Sequence, residues 1–186
     1  MNPTINLQER SSTKLNNIRL GFGWDSSAMS GMCNIDVSAF GCLHNKGNTS
    51  GPKLISNDWH VYFNNLSSPG GTIHHSGDIL PNNIDDEVIY IDLKSAPDTL
   101  DEIAFVLTIY QADSREQDFS QIKDLYIIMY NDDTDEVLYK FIANPILPAI
   151  AYHIGNVYRK NTQWYAQGLY DGYLMDLPSI IERYSN

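Results

Sequence analysis

Apolar and polar side chains alternate along the chain in short runs, the pattern of strands with one buried face. Segments rich in Gly, Pro, Asn and Asp separate these runs and favour turns. The alternation predicts strands over residues 18–25, 33–43, 59–63, 72–76, 88–93, 125–130, 137–142, 149–158 and 163–166. Residues 103–110 are almost continuously apolar and β-branched, which predicts a central strand buried on both faces. Many short strands with turns between them predict an antiparallel two-sheet β-sandwich.

The two ends of the chain differ from this strand-rich middle. Residues 1–16 are polar with few periodic apolar positions, so we predict an N-terminal arm or a weak edge strand. Apolar residues recur at helical spacing between Leu177 and Tyr184, with Pro178 early in the run, which predicts a short C-terminal helix. Because no linker or repeat interrupts residues 17–186, we predict a single domain there.

The excess of acidic over basic residues limits the classes of partner that we expect the chain to bind. The chain of 186 residues has 12 Lys and Arg against 23 Asp and Glu, a formal net charge of −11. This charge argues against binding to a nucleic-acid backbone or to anionic lipid, and it suits a cation. Because 42% of the residues are hydrophobic, we expect a globular chain rather than a disordered acidic tail.

The sequence predicts a cytoplasmic protein without a membrane-spanning segment. The N terminus lacks the basic and apolar regions of a secretory signal. The longest uncharged run, residues 141–158, contains Pro145 and Pro148, which a lipid-facing helix tolerates poorly. Cys33 and Cys42 are too far apart for a Cys-x-x-Cys motif, and their alternating context indicates buried thiols, with a disulfide as the alternative.

Oxygen-bearing side chains are concentrated between Gly77 and Glu87, where four carboxylates and two amides stand within eleven residues. Such oxygens are the ligands of Ca²⁺, which takes roughly six to eight of them, so one loop needs partners from elsewhere in the chain. Further oxygen donors occur at Asn34, Asp36, Ser38, Asn64 and Asn65. We therefore interpret the segment as a cation-binding loop. A solvated acidic turn is the alternative.

Five motifs stand in a fixed order along the chain. They are a glycine-containing strand at 20–25, a strand carrying Asp36 at 35–40, an aromatic strand with an Asn pair and turn at 61–70, an acidic loop at 75–78 and 85–87, and a closing hairpin at 154–159 with Trp164. In content and order they resemble the motifs of the TerD family, the tellurite-resistance and general stress proteins. The resemblance covers about residues 17–184 and implies a Ca²⁺-binding β-sandwich domain.

The resemblance also implies a set of metal ligands. Carried over to this sequence, they are Asp36, Asn64, Asn65, Asp78, Asp85, Asp86 and Glu87, with Asn34 in place of the first Asp of the family's Asp-x-Asp. Asn34 keeps an oxygen but removes a charge, and residues 79–81 depart from the family pattern in a loop that is also shorter. Because Ca²⁺ affinity follows ligand charge and site flexibility, we expect weakened binding, or one ion where relatives hold two.

The sequence is compatible with three functions. We expect a non-enzymatic Ca²⁺-responsive adaptor in a stress-response or tellurite-resistance complex, in which the cation orders the acidic loop and other proteins of the complex bind. A lectin-like binder of a sugar or small ligand, using Trp24, Trp59 or Trp164, is the first alternative. A hydrolase is the second, with paired carboxylates or with His74 and His75, although no Gly-x-Ser-x-Gly elbow occurs.

Overall fold

The strands pair into two antiparallel sheets, which confirms the predicted β-sandwich. The computed structural model describes residues 4–27, 33–44, 51–77, 85–143 and 146–185. Within these ranges the strands are β1 (Thr4–Asn6), β2 (Asn17–Asp25), β3 (Ile35–Leu43), β4 (Lys53–Leu54), β5 (His60–Val61), β6 (Ile73–His75), β7 (Glu87–Asp92), β8 (Glu102–Ile109), β9 (Lys123–Asn131), β10 (Glu136–Ile142), β11 (Ala151–Lys160) and β12 (Gln163–Tyr173). The seven-stranded sheet has the order β1-β12-β11-β8-β3-β4, with β5 also on β3, and the five-stranded sheet has the order β10-β9-β2-β7-β6.

The two sheets enclose a hydrophobic core between them. Phe22 of β2 and Phe105 of β8 meet across it with ring centroids 6.0 Å apart. All residues of β8 are buried, which confirms the predicted central strand. Full burial of one such large side chain contributes about 1.5–3 kcal/mol, so the core stabilises the fold despite the acidic surface.

Helices occupy the margins of the sandwich. In the described ranges the α-helices are α1 (Leu7–Arg10), α2 (Ala112–Arg115) and α3 (Leu177–Tyr184), and 3₁₀ turns cover Asn57–Trp59, Pro69–Gly71 and Phe119–Gln121. The predicted C-terminal helix is α3, whose first turn is capped by Asp176, which accepts a hydrogen bond from the Ser179 amide at 3.0 Å. Helix α1 packs against β12 and α3 against β4. None of the helices in these ranges is long and apolar enough to cross a membrane.

The aromatic segment 59–63 forms less strand than its composition predicts. Trp59 ends a 3₁₀ turn, and β5 covers only His60–Val61. The chain then reverses, because Tyr62 and Asn65 exchange backbone hydrogen bonds of 3.0 and 2.9 Å. The two residues between them form a tight turn, so the predicted strand ends early. Tertiary pairing rather than side-chain composition decides its length.

The N-terminal residues take part in the sandwich. Strand β1 is the edge of the seven-stranded sheet, where Ile5 pairs with Ala166 of β12. Leu7 and Leu15 follow it and are both buried. The segment therefore contributes apolar area to the core as well as an edge strand.

Both cysteines are free thiols. Burial is the main cause that raises the pKa of each, strongly at the buried Cys42 and less at the half-buried Cys33. A raised pKa keeps a thiol protonated and unreactive at neutral pH. The structure therefore does not contain the alternative disulfide between Cys33 and Cys42.

Candidate functional site

The acidic loop joins two neighbouring strands, and both of its ends are fixed. Strands β6 and β7 pair antiparallel, with His75 opposite Ile89. Beyond this pair, the Ser76 amide donates to the Val88 carbonyl at 2.9 Å, and the Val88 amide donates to the Ser76 hydroxyl at 3.2 Å. The predicted ligand Asp78, with the rest of 78–84, lies outside the described residues.

Glu87, at the end of the loop, forms a buried hydrogen-bonded pair with His75. Nδ1 of His75 accepts a hydrogen bond from the Gly77 amide at 2.9 Å, so its proton is on Nε2, which donates to Oε2 of Glu87 at 3.1 Å. His75 is 1% exposed and Glu87 is 6% exposed. The imidazole therefore connects the first residue of the loop with the last.

The same Glu87 oxygen reaches the opposite sheet. Oε2 accepts a hydrogen bond of 2.8 Å from the backbone amide of Val37 in β3. Strand β5 pairs with β3 only at Ala39 and Phe40, so Val37 lies beyond the end of that pairing. A buried amide without a partner costs about 1–3 kcal/mol, and the Glu87 carboxylate removes this cost.

Asp86 extends the pairing of β2 and β7 by one residue. Its backbone amide donates to the Phe22 carbonyl at 2.8 Å, and its Oδ2 accepts from the Trp24 amide at 2.9 Å. The side chain is exposed and closes the end of β2. Asp86 therefore holds the loop against a second strand.

Asp85 lies on the outer face of the five-stranded sheet. Its Oδ1 accepts a hydrogen bond of 3.1 Å from the Tyr126 hydroxyl of β9. Its carboxylate stands directly over Gly21, where a Cβ atom would be only 2.2 Å from Oδ2. The absence of a side chain at residue 21 makes the space that Asp85 fills.

Burial disfavours the ionised form of the Asp85 carboxyl. Burial is the main cause that raises its pKa, and the nearby charge of Asp86 adds to the rise. The hydrogen bond from Tyr126 and the positive charge of Arg19 act in the opposite direction. Burial, followed by the charge of Asp85, raises the pKa of Tyr126 well above that of a free phenol. A cation bound nearby would offset the cost of burying the ionised Asp85 carboxylate.

Asn34 and Asp36 are neighbours on β3 and the turn before it, as their alternation predicts. The Asn34 amide nitrogen donates to Oδ2 of Asp36 at 3.2 Å. Asp36 is 9% exposed and pairs with Thr108 of β8. Because Glu87 contacts β3 at Val37, the structure brings two of the three predicted ligand groups to consecutive residues of one strand.

Asn64 and Asn65 form the turn after β5. The side-chain nitrogen of Asn65 donates to the carbonyls of His60 and Asp58 at 2.7 and 3.2 Å, and Asn64 is exposed. The hydrogen bonds that Asn65 makes with other described residues stay within this turn. The contacts of the pair therefore stabilise the turn and do not link it to the other predicted ligands.

The predicted ligands suit Ca²⁺ by chemistry but do not converge within the described part of the chain. There, no three His, Cys, Asp or Glu side chains lie close enough together to hold a metal ion. All of the predicted donors are nevertheless carboxylate or amide oxygens, which Ca²⁺ prefers. A complete site therefore requires donors from residues 78–84, of which Asp78 is the acidic one.

Comparison with known proteins identifies the family. The TerD domain matches residues 2–184. The chain belongs to the TerD family. It is 30% identical to the tellurium resistance protein TerD of Serratia marcescens, over 94% of this chain and 90% of that protein. It is also 30% identical to general stress protein 16U of Bacillus subtilis, over 91% of this chain and 88% of that protein.

Solved structures share the fold of this TerD-family chain. A homologue of the telluride resistance protein TerD from Streptomyces coelicolor superposes with a TM-score of 0.69 at 14% identity, over 93% of this chain and all (100%) of that one. The protein SAV2460 superposes with a TM-score of 0.68 at 20% identity, over 91% of this chain and 96% of the other. At these identities the likeness concerns the fold alone.

Sequence reasoning missed the groups that hold the loop in place. His75 was noted only as part of a motif and as a candidate catalytic residue, and Tyr126 was not singled out. Gly21 did carry a signal, because a glycine inside a strand often marks the close approach of another group. The residue that each of these groups contacts lies far away in the sequence. The glycine therefore indicates where a close approach occurs but not which residue makes it.

The two alternative functions receive little support from the described residues. Trp59 and Trp164 are buried, at 6% and 5% exposure, so neither offers a platform for a sugar. His74 is exposed and His75 is buried, so the two rings do not act on one substrate. Both ring nitrogens of His75 are already hydrogen-bonded inside the protein.

Proposed function

We propose that this chain is a non-enzymatic Ca²⁺-binding module of a tellurite-resistance or stress-response system, where it acts as an adaptor in a protein complex. One structural observation carries the proposal. The three acidic residues at the end of the loop contact three different strands, with Asp85 on β9, Asp86 on β2 and Glu87 on β3. A cation bound by the loop would thereby be coupled to both sheets.

The proposed mechanism is charge neutralisation followed by ordering of the loop. Without a cation, the carboxylates of Asp85 and Asp86 repel each other, which is one cause of the raised pKa of Asp85. A Ca²⁺ ion held by these groups and by Asp78 would offset the repulsion and fix the loop backbone. A fixed loop presents one surface to a partner protein, whereas a free loop presents many.

Family membership supports the biological setting. Relatives that cover most of this chain are named tellurium resistance protein and general stress protein. We extend that role to this chain because its match to the TerD domain is nearly complete.

Thermal unfolding of chelated protein, with and without millimolar Ca²⁺, tests the proposal. Ca²⁺ at a hundred times its dissociation constant should stabilise the fold by about 2.7 kcal/mol, or roughly 5–11 °C at this length. An Asp78→Ala/Asp86→Ala variant should lose the shift. An Asp98→Ala/Glu182→Ala variant, which removes the same charge from exposed positions, should keep it.

Two further measurements show whether the loop binds Ca²⁺ specifically. Mg²⁺ should give a much smaller shift, because it demands near-ideal octahedral geometry and gives up its bound waters reluctantly. Ca²⁺ should also protect the peptide bonds around residues 77–87 from limited proteolysis. Equal unfolding temperatures and equal cleavage with and without Ca²⁺ would show that the loop does not bind the ion.

A further inference from the structure

A row of side chains crosses the whole outer face of the five-stranded sheet. The strand registers place these residues opposite one another in the order Val137, Tyr130, Arg19, Tyr90 and His74. The ring contacts agree, since His74 and Tyr90 have centroids 6.3 Å apart. Five strands spaced about 4.8 Å apart make this row about 20 Å long. We call this surface the tyrosine row.

The tyrosine row and its surroundings carry exposed apolar and aromatic side chains on the outer face of the sheet. Tyr90 is 37% exposed and Val137 is 54% exposed. Ile142, which pairs with Tyr126 near one end of the face, is 55% exposed. Helices α1 and α3 pack against strands of the other sheet. Within the described residues, Tyr90, Val137 and Ile142 are therefore exposed on this face, while Arg19 and Tyr130 are half-buried.

The chain itself shows how this surface binds a guanidinium group. Arg19 lies over the ring of Tyr130, with its Cζ 4.2 Å from the ring centroid. Its Nη1 contacts the carboxylates of Asp132 and Asp135 at 3.0 and 2.8 Å. Aromatic stacking and carboxylate pairing act together on one cation, the combination that favours arginine over lysine.

Acidic residues surround the row and exceed the basic ones. They are Asp85, Asp92, Asp132, Asp133 and Asp135. Lys140 is the only other basic residue of β2, β6, β7, β9 and β10 whose register places it on this face, since Lys123 stands at the far end of β9. A second positively charged group beside Arg19 would therefore find an excess of carboxylates and the 37% exposed side chain of Tyr90.

We propose that the tyrosine row docks a partner protein through an extended segment whose row-facing residues, every second one along the segment, alternate between arginine and apolar side chains. The arginines stack on Tyr90 and pair with the acidic rim, and the apolar side chains cover Val137 and Ile142. Arginine and apolar residues alternate among the row-facing positions because apolar and acidic groups interleave across the face, and the residues between them point away from it. This names the docking surface of the adaptor proposed above, but it does not depend on Ca²⁺ binding.

Charge argues against a second copy of the chain as the occupant. Each copy carries a net charge of −11, and a symmetric pairing of two such faces would bring the two acidic rims together. Like charges at close range weaken such an interface and favour a basic partner instead.

An NMR titration of the full isotope-labelled chain tests the proposal. The probe is a synthetic peptide of repeating Arg-Ser-Val-Ser units, about ten residues long so that it exceeds the row, in which arginine and valine alternate on one side. We expect saturable shifts at the amides of Arg19, Tyr90, Tyr130 and Val137, in chelated protein as well as with Ca²⁺. A peptide with glutamate in place of arginine should cause none of them.

Matched variants distinguish peptide binding at the tyrosine row from nonspecific electrostatic attraction to the acidic chain. Tyr90→Ala and Asp135→Asn should each weaken binding of the arginine peptide about two- to fivefold. Asn tolerates the positive φ of 58° at residue 135, so the turn is preserved. Tyr110→Ala and Asp98→Asn, at exposed positions of the other sheet and its loops, should leave the affinity unchanged.

Three results would overturn the proposal. The first is equal binding of the acidic peptide, and the second is the lack of saturable shifts on the row. The third is sedimentation of the chain as a dimer that Tyr90→Ala dissociates, which would make a second copy the occupant. Peptide binding by a chain whose unfolding temperature and loop cleavage Ca²⁺ leaves unchanged would support the row while contradicting the cation mechanism, so the two failures are distinguishable.

Discussion

Asp85 shows how one residue links the acidic loop to the sheet beneath it. Its carboxylate fills the space over Gly21 and accepts the hydrogen bond of Tyr126. This position removes the group from water, which raises its pKa. The ionised form therefore destabilises the cation-free protein locally, and a cation or a neutral side chain would remove that cost.

We predict that Asp85→Asn stabilises the cation-free protein at neutral pH. The folded-state pKa of Asp85 is raised above its ordinary value of 3.8, so the folded state holds this proton more tightly than the unfolded state does. Stability from this group is present below pH 3.8 and is lost as the pH rises through the folded-state pKa. The variant keeps an oxygen for Tyr126 and carries no charge.

Urea unfolding of both proteins in chelator, from pH 3.5 to 7, measures the effect. The difference in unfolding free energy should be near zero at the acidic end and should grow in favour of the variant as the pH rises. Asp98→Asn, at an exposed carboxylate, is the control and should run parallel to the parent protein. A variant that is less stable than the parent at pH 7 would contradict the prediction.

At the scale of elements, the β6–β7 hairpin is joined to β3 of the other sheet through a single carboxylate. Glu87 accepts hydrogen bonds from the Val37 amide and from Nε2 of His75 with the same oxygen. Both donors are buried. Because the pairing of β3 with β5 does not extend to Val37, the Glu87 side chain takes the place of a ladder partner on that side of β3, and the loop end is fixed between the two sheets.

We predict that Glu87→Ala destabilises the fold by about 2–5 kcal/mol, because it leaves two buried donors without an acceptor. Glu87→Gln should cost less, since its amide oxygen still accepts from one donor. Chemical denaturation measures both. Glu182→Ala, at an exposed position of α3, should stay within about 0.5 kcal/mol of the parent. A cost that small for Glu87→Ala would show that the carboxylate does not hold the hairpin.

At the scale of the whole molecule, the net charge of −11 opposes compaction. The buried core and the sheet ladders offset this repulsion, but the balance depends on ionic strength, since the screening length falls from about 30 Å at 0.01 M to about 8 Å at 0.15 M salt. General screening and specific Ca²⁺ binding therefore both stabilise the chain, and they differ in the concentration at which they act.

We predict that NaCl raises the unfolding temperature gradually over about 0.01–0.5 M, whereas Ca²⁺ acts in the low millimolar range, where its screening is small. Thermal scans in NaCl and in CaCl₂ at matched ionic strength separate the two effects. The Asp78→Ala/Asp86→Ala variant should retain the NaCl response and lose the CaCl₂ excess. If the unfolding temperature of the parent protein followed the same curve in both salts, charge screening alone would explain the stabilisation.

Local patterns predicted most of the strands and the place of the acidic loop. Alternation located β2, β3 and the β9–β10 hairpin, and the continuous apolar run located β8. The strand predicted over residues 59–63 was too long, because the chain reversal between Tyr62 and Asn65, not the aromatic content, ends β5. Strand β12 runs to Tyr173, well past the predicted end at residue 166, because β11 pairs with it over that length.

The sequence by itself determined the two-sheet class, the family and the segment that holds the candidate ligands. Periodicity, turn residues and motifs are local, and burial of one strand face enforces them. Only the tertiary structure decided that Glu87 contacts Val37, that Asp85 lies over Gly21, and that the tyrosine row crosses all five strands of its sheet. These contacts join residues far apart in the chain, and their pairing is set by strand order and register, which an alternating pattern does not encode.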